Sequence, residues 1–286
     1  MDPNSRSPGQ ITAGRVRDFV RQFQHDDLVE AALRTVEHIE LIGRRNIADS
    51  LRAVVDRAQE PSGTSLCVFG ANKDSSAVNV YYAQDVAEEI GLTTRSLSEA
   101  VAIERPIVLV DDFLGSGTQA ISILEQWLGV EPTVDLHEGE REPLPPSLRN
   151  RLLDVPTTVV FAAGWEEGKR RLENRASELG FKNLTVQVVR DAASLPVAFG
   201  RGIFQSPEIE QRFRERCEAI GMQLLLIEGG GHDEAWARAR AVGYGNRGVL
   251  IAFPYNTPAQ TLTCLWATGI VDGVKWQPLL RRRAKL

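Results

Sequence analysis

The chain has 286 residues, 43% of them hydrophobic and 25% charged, a composition typical of a soluble globular protein with one large domain or one domain with extensions. The net charge of −5 argues against indiscriminate nucleic-acid binding, and three cysteines and four histidines without metal-like spacing argue against a structural zinc site. The polar start of the chain and the lack of a long apolar run predict a cytoplasmic protein with no membrane partner.

The first sixty residues predict a tail followed by three helices. Residues 1–12 are rich in Pro, Ser, Gly and Asn, which is typical of a disordered tail. Residues 13–60 predict a helical extension, because apolar residues recur there every three or four positions in three stretches. The stripes are Val16, Phe19, Val20 and Phe23; Val29, Ala32, Leu33, Val36 and Ile39; and Ile47, Leu51, Val54, Val55 and Ala58.

Residues 61–286 alternate between strand-like and helix-like patterns. Helices are predicted over about 84–90, after 118, over about 165–179 and from 206 onward, and 224–227 reads as either a strand or a buried segment. The alternation predicts an α/β domain with a Rossmann-like parallel sheet, and a C-terminal α/β extension from about residue 200. The predicted strands are 66–69, 78–82, 107–110, 157–163, 184–189 and 249–253.

The segment from Ile107 to Thr118 combines a buried strand, an acidic pair, a glycine-containing loop and the start of a helix. Gly115 and Gly117 allow the backbone to approach a ligand, and the helix directs its amide groups and positive dipole end toward the loop. Such a loop suits an anion, and phosphate is the anion that it favours most. The acidic pair suits hydroxyl groups or the water molecules of a metal ion, so the segment predicts a site for a phosphorylated sugar.

This segment resembles the phosphoribosyl-pyrophosphate (PRPP) signature of type I phosphoribosyltransferases. The resemblance implies a sheet of that kind, with Asp111 and Asp112 as the catalytic pair that grips the ribose hydroxyls and holds Mg²⁺ indirectly. It implies that the 5-phosphate is bound by the loop formed by Leu114, Gly115, Ser116, Gly117, Thr118 and Gln119.

Two positions depart from the pattern of that family. Gln119 stands where the signature has its last threonine, which removes one expected hydroxyl contact with phosphate. Gly115 stands where members that use purine bases often carry a carboxylate as general base, which weakens an assignment to purine salvage.

Two other loops are candidates for the same site. The family places a pyrophosphate-binding loop after an early strand, which implies that role for Lys73, Ser75 and Ser76, although a solvated surface loop fits these residues equally well. Trp165 and the glutamates that follow it could meet a base, but the start of a helix explains them better, because acidic residues favour that position.

A second resemblance extends over most of the chain. The helical segment at Phe19-Val-Arg-Gln-Phe23, the core signature, and the later Gly243-Tyr-Gly-Asn and Asn256-Thr-Pro motifs are similar to phosphoribosyltransferase-like proteins of bacterial conflict and antiviral systems, some of them encoded beside retron reverse transcriptases. This resemblance implies a defence effector that acts at ribose C1 of PRPP or a nucleotide.

The alternative is a catalytically inactive sensor or interaction subunit of a defence complex. Its partner would be a protein or a nucleic acid, and the basic run that begins at Arg281 could contact RNA, DNA or an acidic surface, or simply be solvated.

Overall fold

The structure is a computed structural model that describes residues 11–58, 63–70, 75–134, 136, 143–228 and 233–282. The chain divides into two compact units. The first unit combines Met1–Leu41 with Leu195–Leu286, and the second comprises Ile42–Ser194. Most of the predicted tail lies outside the described residues, since the description begins at Ile11.

Helices and strands alternate along the second unit. Elements are numbered in the order of the whole chain. The first unit begins with α1 (Ala13–Arg21), α2 (Asp26–Glu37) and β1 (Glu40–Leu41). The second unit then contains α3 (Arg44–Ala58), β2 (Ser65–Val68), α4 (Ser75–Ala87), β3 (Thr93–Thr94), α5 (Leu97–Ala102), β4 (Ile107–Leu114), α6 (Thr118–Leu128), α7 (Pro146–Asp154), β5 (Thr157–Gly164), α8 (Glu166–Glu178) and β6 (Leu184–Arg190).

The second unit contains a five-stranded parallel sheet in the order β3-β2-β4-β5-β6. This confirms the predicted α/β class and the Rossmann-like sheet. The strand order reverses between β2 and β4, because the chain adds β3 on one side of β2 and then adds β4, β5 and β6 on the other. In open parallel sheets the ligand crevice lies at such a switch point, beyond the carboxyl ends of the strands.

Helices cover both faces of the sheet. The α5, α6, α7 and α8 helices pack on one face around a single apolar cluster, and α3 and α4 pack together on the other. Because successive side chains of a strand point to opposite faces, the fully buried run Ile107–Val110 of β4 supplies both layers. The cluster on the first face includes Cys67, Phe69, Ile107, Leu109, Leu124, Trp127, Val159, Phe161 and Leu172.

One predicted strand, and a second segment for which a strand is one of two interpretations, are helical. The predicted strand 78–82 lies inside α4, where the buried residues Asn79, Val80, Ala83 and Val86 follow helical spacing. The sequence of residues 78–82 predicts a strand because it is rich in valine and tyrosine, which favour strands. Tertiary packing of the longer stripe overrides that preference.

The segment 224–227 is likewise helical, so its interpretation as a strand is wrong. It lies in α9 (Pro207–Glu228), whose buried residues Phe213, Cys217, Ile220 and Leu224 continue one face of the helix at three- and four-residue intervals. Pro207 occupies the first turn, where the missing amide of proline costs no hydrogen bond.

The first unit is built from both ends of the chain. It contains α1, α2, α9, α10 (Glu234–Arg238), β7 (Ile251–Ala252), and an antiparallel hairpin of β8 (Gly269–Val271) and β9 (Val274–Trp276). Strand β1 pairs in parallel with β7. Phe19 of α1 and Phe23, which lies just beyond the end of that helix, make edge contacts with Trp276 at centroid distances of 5.9 and 5.6 Å. The predicted N-terminal helices α1 and α2 therefore share a core with the C-terminal extension, whereas α3 belongs to the second unit.

The cysteines are packing residues. Cys67 is fully buried on β2, and this burial raises the pKa of its thiol to about 12. Cys217 and Cys264 are buried in the first unit with their sulfur atoms 3.9 Å apart. Among the described residues, no helix combines the length and apolarity needed to cross a membrane.

Candidate functional site

The acidic pair lies inside strand β4. The sequence predicts a strand that ends at Val110, but β4 continues to Leu114 because it pairs with the long strand β5. Asp111 lies opposite Phe161, and Leu114 lies opposite Gly164. Pairing with β2 stops at Val68, which lies opposite Val110, so the acidic pair begins where β2 gives way to its loop. Both carboxylates are therefore at the switch point of the sheet.

Each carboxylate is held by main-chain amides of its own strand. Asp111 Oδ1 accepts a hydrogen bond from the amide of Asp112 at 2.9 Å, and Asp112 Oδ1 accepts one from the amide of Phe113 at 2.7 Å. Asp112 is 8% exposed and Asp111 is half-buried. These hydrogen bonds fix the position of both carboxylates, and a carboxylate with two oxygens can accept several hydrogen bonds at once.

Asn79 is a site residue that the sequence analysis missed. It is fully buried on α4, and its Nδ2 donates to Asp111 Oδ1 at 3.3 Å. This hydrogen bond helps to fix the position of the Asp111 carboxylate. The signal for it was a polar residue at a buried position of a helical stripe, which the mistaken strand interpretation of 78–82 concealed.

The predicted phosphate loop connects β4 to α6. Gly117 caps the helix with φ +79°, a left-handed conformation that favours glycine. The hydroxyl oxygens of Ser116 and Thr118 lie 2.9 Å apart, and the amide of Thr118 donates to Ser116 Oγ at 3.4 Å. The loop therefore brings two hydroxyl groups and the first-turn amides of an 11-residue helix to one point, which is the chemistry of an anion site.

The remaining loop positions differ in their exposure. Gly115 is half-buried and Gln119 is exposed on the first turn of α6. Leu114 is 1% exposed with its side chain in the apolar cluster, so only its main chain faces the loop. Its carbonyl oxygen accepts a hydrogen bond from the amide of Trp165 at 3.0 Å.

Two glycines of the neighbouring strand–helix corner support the loop from behind. A Cβ on Gly168 of α8 would lie 2.2 Å from the carbonyl oxygen of Gly115, and one on Gly164 would lie 2.7 Å from that of Leu114. A Cβ on Gly117 would in turn lie 2.8 Å from the carbonyl oxygen of Gly168. The loop thus rests directly on the backbone of the β5–α8 corner, a role that the sequence analysis did not assign to these glycines.

Trp165 is part of this support rather than a platform for a base. Its side chain is 6% exposed and makes an edge contact with Phe113 at a centroid distance of 6.3 Å. Glu166 and Glu167 occupy the first turn of α8. The interpretation of this segment as a helix start is confirmed.

A buried ion pair joins α6 to α8. Glu125 is 1% exposed, and its Oε1 accepts from Arg175 Nε and Nη2 at 2.9 and 2.8 Å. Its Oε2 accepts from the amide of Thr133 at 2.7 Å. Hydrogen bonds to Glu178 and Glu125 raise the pKa of Arg175. The pair fixes the helix whose N-terminus forms the phosphate loop relative to the helix that supports the loop.

The predicted pyrophosphate loop is only partly described. Ser75 and Ser76 are the first residues of α4, whereas Lys73 lies outside the described residues. Helix α4 starts on the same edge of the sheet as the phosphate loop, since it follows β2 as α6 follows β4. The contribution of these three residues stays a prediction.

The carboxylates of Asp111 and Asp112 could hold a metal ion only if a bound ligand or water supplied further oxygen atoms. In the described part of the chain, no group of three or more His, Cys, Asp or Glu side chains is placed to hold a metal ion. Asp111 and Asp112 do supply hard oxygen donors, which fits Mg²⁺ because this ion is commonly held by one or two carboxylates together with substrate phosphates and water.

Comparison with known proteins identifies the family. The model of the PRTase-CE family matches residues 16–282. No curated protein and no solved structure matches the chain. The family match spans both the N-terminal helices and the C-terminal extension as well as the sheet. The chain therefore belongs to the PRTase-CE family and is a phosphoribosyltransferase-like protein.

Proposed function

We propose that this protein binds PRPP or a nucleotide through the loop formed by residues 114–119 and acts at ribose C1. One observation supports the proposal above all. The hydroxyl pair of Ser116 and Thr118 and the N-terminus of α6 follow two held carboxylates within a single strand–loop–helix segment at the switch point of the sheet. A phosphate and a ribose within one small molecule require this pairing of groups.

Different residues of the site would contact the phosphate and the ribose of the ligand. Ser116, Thr118 and the first-turn amides of α6 would bind the 5-phosphate, and Asp111 and Asp112 would accept hydrogen bonds from the ribose hydroxyls. In transfer, the bond between C1 and the pyrophosphate oxygen breaks while the acceptor bonds to C1, so positive charge develops on the ribose. The two carboxylates would stabilise that charge.

Magnesium completes the proposal. Asp111 and Asp112 are the residues that would hold Mg²⁺, through water, and the bound ion would supply neutralisation of the leaving pyrophosphate. Lys73, Ser75 and Ser76 would contact the same pyrophosphate from the loop after β2.

Calorimetric titration with PRPP and Mg²⁺, ribose 5-phosphate and nucleoside monophosphates tests the site. We expect saturable binding that is lost in the Ser116→Ala/Thr118→Ala variant and in the Asp111→Asn/Asp112→Asn variant. Thr94→Ala is the matched control, because it removes a threonine hydroxyl from an exposed strand of the same unit. Absence of binding to every ligand, or unchanged affinity in the Asp variant, would refute the site.

A second candidate function is a sensor that binds without turnover. Gly115 offers no side chain as a general base, and Gln119 replaces a phosphate-binding threonine of the signature and is exposed. Pyrophosphate release decides between the two functions: tight PRPP binding without release, across a panel of base acceptors, favours the sensor.

The proposal extends to antiviral defence, with a protein or nucleic acid of a defence system as the partner. The likeness of the helical segment and the C-terminal motifs to proteins of bacterial conflict systems supports it. Expression of the chain with its neighbouring genes should reduce phage plating, and the Asp111→Asn/Asp112→Asn variant should restore it. Equal protection by that variant would separate the defence role from the sugar-phosphate site.

A further inference from the structure

An arginine of the first unit is held between two aromatic rings. The guanidinium carbon of Arg240 lies 4.5 Å from the ring centroid of Trp236 and 4.7 Å from that of Tyr244. Arg240 Nη1 also donates to the carbonyl oxygen of Trp236 at 3.2 Å. Tyr244 is 37% exposed, and Trp236 and Arg240 are half-buried, so the stack reaches the surface. Stacking fixes the guanidinium without neutralising it.

A second stack lies near the end of the chain. The guanidinium carbon of Arg282 is 4.5 Å from the ring centroid of Trp266, whose Nε1 donates to Thr261 at 2.9 Å. The neighbouring Arg281 is exposed. Burial and, to a smaller extent, the charge of Arg281 lower the pKa of Arg15. Like charges have therefore been brought together here, an arrangement that an anion stabilises.

One segment joins the two stacks. The amide of Tyr244 donates to the carbonyl oxygen of Ala259 at 2.8 Å, and Thr257 Oγ1 donates to that of Arg281 at 2.8 Å. Trp266 ends the same stretch of ten residues, 257–266. Both stacks are thus attached to this one segment of the first unit, and we call their residues together the arginine–aromatic surface: Trp236, Arg240, Tyr244, Trp266, Arg281 and Arg282.

The arginines of this surface differ from others in the same unit. Arg212, Arg216 and Arg238 form ion pairs with Asp27, Asp272 and Glu234. Within the described ranges, Arg240, Arg281 and Arg282 form no ion pair with a carboxylate. No described carboxylate therefore neutralises their charge, although the whole chain is acidic.

We propose that the arginine–aromatic surface binds single-stranded nucleic acid. Phosphates would contact Arg240, Arg281 and Arg282, and an unpaired base would stack on the exposed ring of Tyr244. Alternating guanidinium groups and aromatic rings are the combination that single strands require, because each nucleotide offers a charge and a flat face. A duplex hides its base faces and would lose the stacking contribution. The inference does not depend on the proposed sugar-phosphate site, which lies in the other unit.

Fluorescence anisotropy with the full chain tests this surface. The probes are labelled oligothymidine, oligouridine and a mixed-sequence duplex of about 20 nucleotides, a length that exceeds a typical single-strand site. We expect the single strands to bind at least tenfold more tightly than the duplex. Affinity should fall as salt rises from about 50 to about 200 mM, because bound phosphates release counterions. Comparison of the affinities for oligothymidine and oligouridine shows whether the surface prefers DNA or RNA.

The Arg240→Met/Arg282→Met variant keeps the aliphatic stems against the rings and removes two charges. Its affinity should fall about tenfold and its salt slope should drop by about 2, at about 1 per phosphate contact. Arg212→Met is the control, since it removes a charge in the same unit that Asp27 already neutralises. Circular dichroism verifies the fold of each variant. No binding of either single strand, equal binding of the duplex, or equal loss in both variants would overturn the proposal.

Discussion

Replacement of Gly168 by alanine is expected to weaken ligand binding at the proposed phosphate loop strongly, although Gly168 lies outside that loop. The added Cβ would lie 2.2 Å from the carbonyl oxygen of Gly115, and a main-chain atom cannot rotate away as a flexible side chain would. The loop must move instead, which displaces the hydroxyl groups of Ser116 and Thr118 from the end of α6. A misplacement of about 1 Å can cost about 100-fold in the rate of an oriented reaction, and we expect a loss of PRPP affinity of similar size, measured by calorimetry.

The controls separate this contact from general effects of the substitution. Gly14→Ala makes the same change in a helix where the nearest atoms are 3.9 Å away, so ligand affinity should not change. Gly91→Ala, in the same unit as Gly168, imposes a side chain at φ +77° with nothing within 4 Å, so it strains the backbone without a steric contact and should leave ligand affinity unchanged. Wild-type affinity in Gly168→Ala would show that α8 does not fix the loop.

Loss of Arg175 is expected to destabilise the second unit more than loss of any exposed ion pair. Glu125 is 1% exposed, so the Arg175→Met variant leaves a buried carboxylate with only the contacts from Thr133. Removal of one partner from a buried pair typically costs about 3–5 kcal/mol. Because Arg175 is itself 35% exposed, we expect a smaller loss than a fully buried pair would give, seen as a clearly lower midpoint of unfolding in urea.

Arg52→Met provides the comparison. Arg52 pairs with Glu89 at 2.7 Å on the surface of the same unit, with side-chain exposures of 37% and 63%. Exposed pairs contribute about 0–1 kcal/mol, so this variant should unfold almost as the wild type does. Equal losses in the two variants would mean that the burial of Glu125 carries no special cost.

Sequence reasoning succeeded where the information is local. The acidic pair, Gly117 and the start of α6 follow one another in the chain, so their order alone predicts a strand, a loop and a helix start. Contacts across the sheet could not be found in this way. Asn79 meets Asp111, and Gly168 meets Gly115, only because parallel strands bring the ends of β2, β4 and β5 to one edge.

The same distinction explains the errors of assignment. The window 78–82 has strand-forming residues, and only the longer stripe through Val86 shows a helix. Leu224 similarly belongs to a face that begins at Phe213, beyond the range of a four-residue window. The length of β4 depends on its pairing with β5 and is not encoded in β4 itself.

The division of the chain has a consequence for its synthesis. The unit that contains the parallel sheet is one uninterrupted stretch, Ile42–Ser194, and this stretch includes all five strands of the sheet. The other unit is closed by contacts such as those between Gln22 and Gln277, 255 positions apart in sequence. Contacts between distant segments form slowly, and a growing chain makes them last. We therefore expect the sheet to fold during translation. The apolar faces of α1 and α2, which precede the sheet in the chain, should stay exposed until the C-terminal residues have been synthesised.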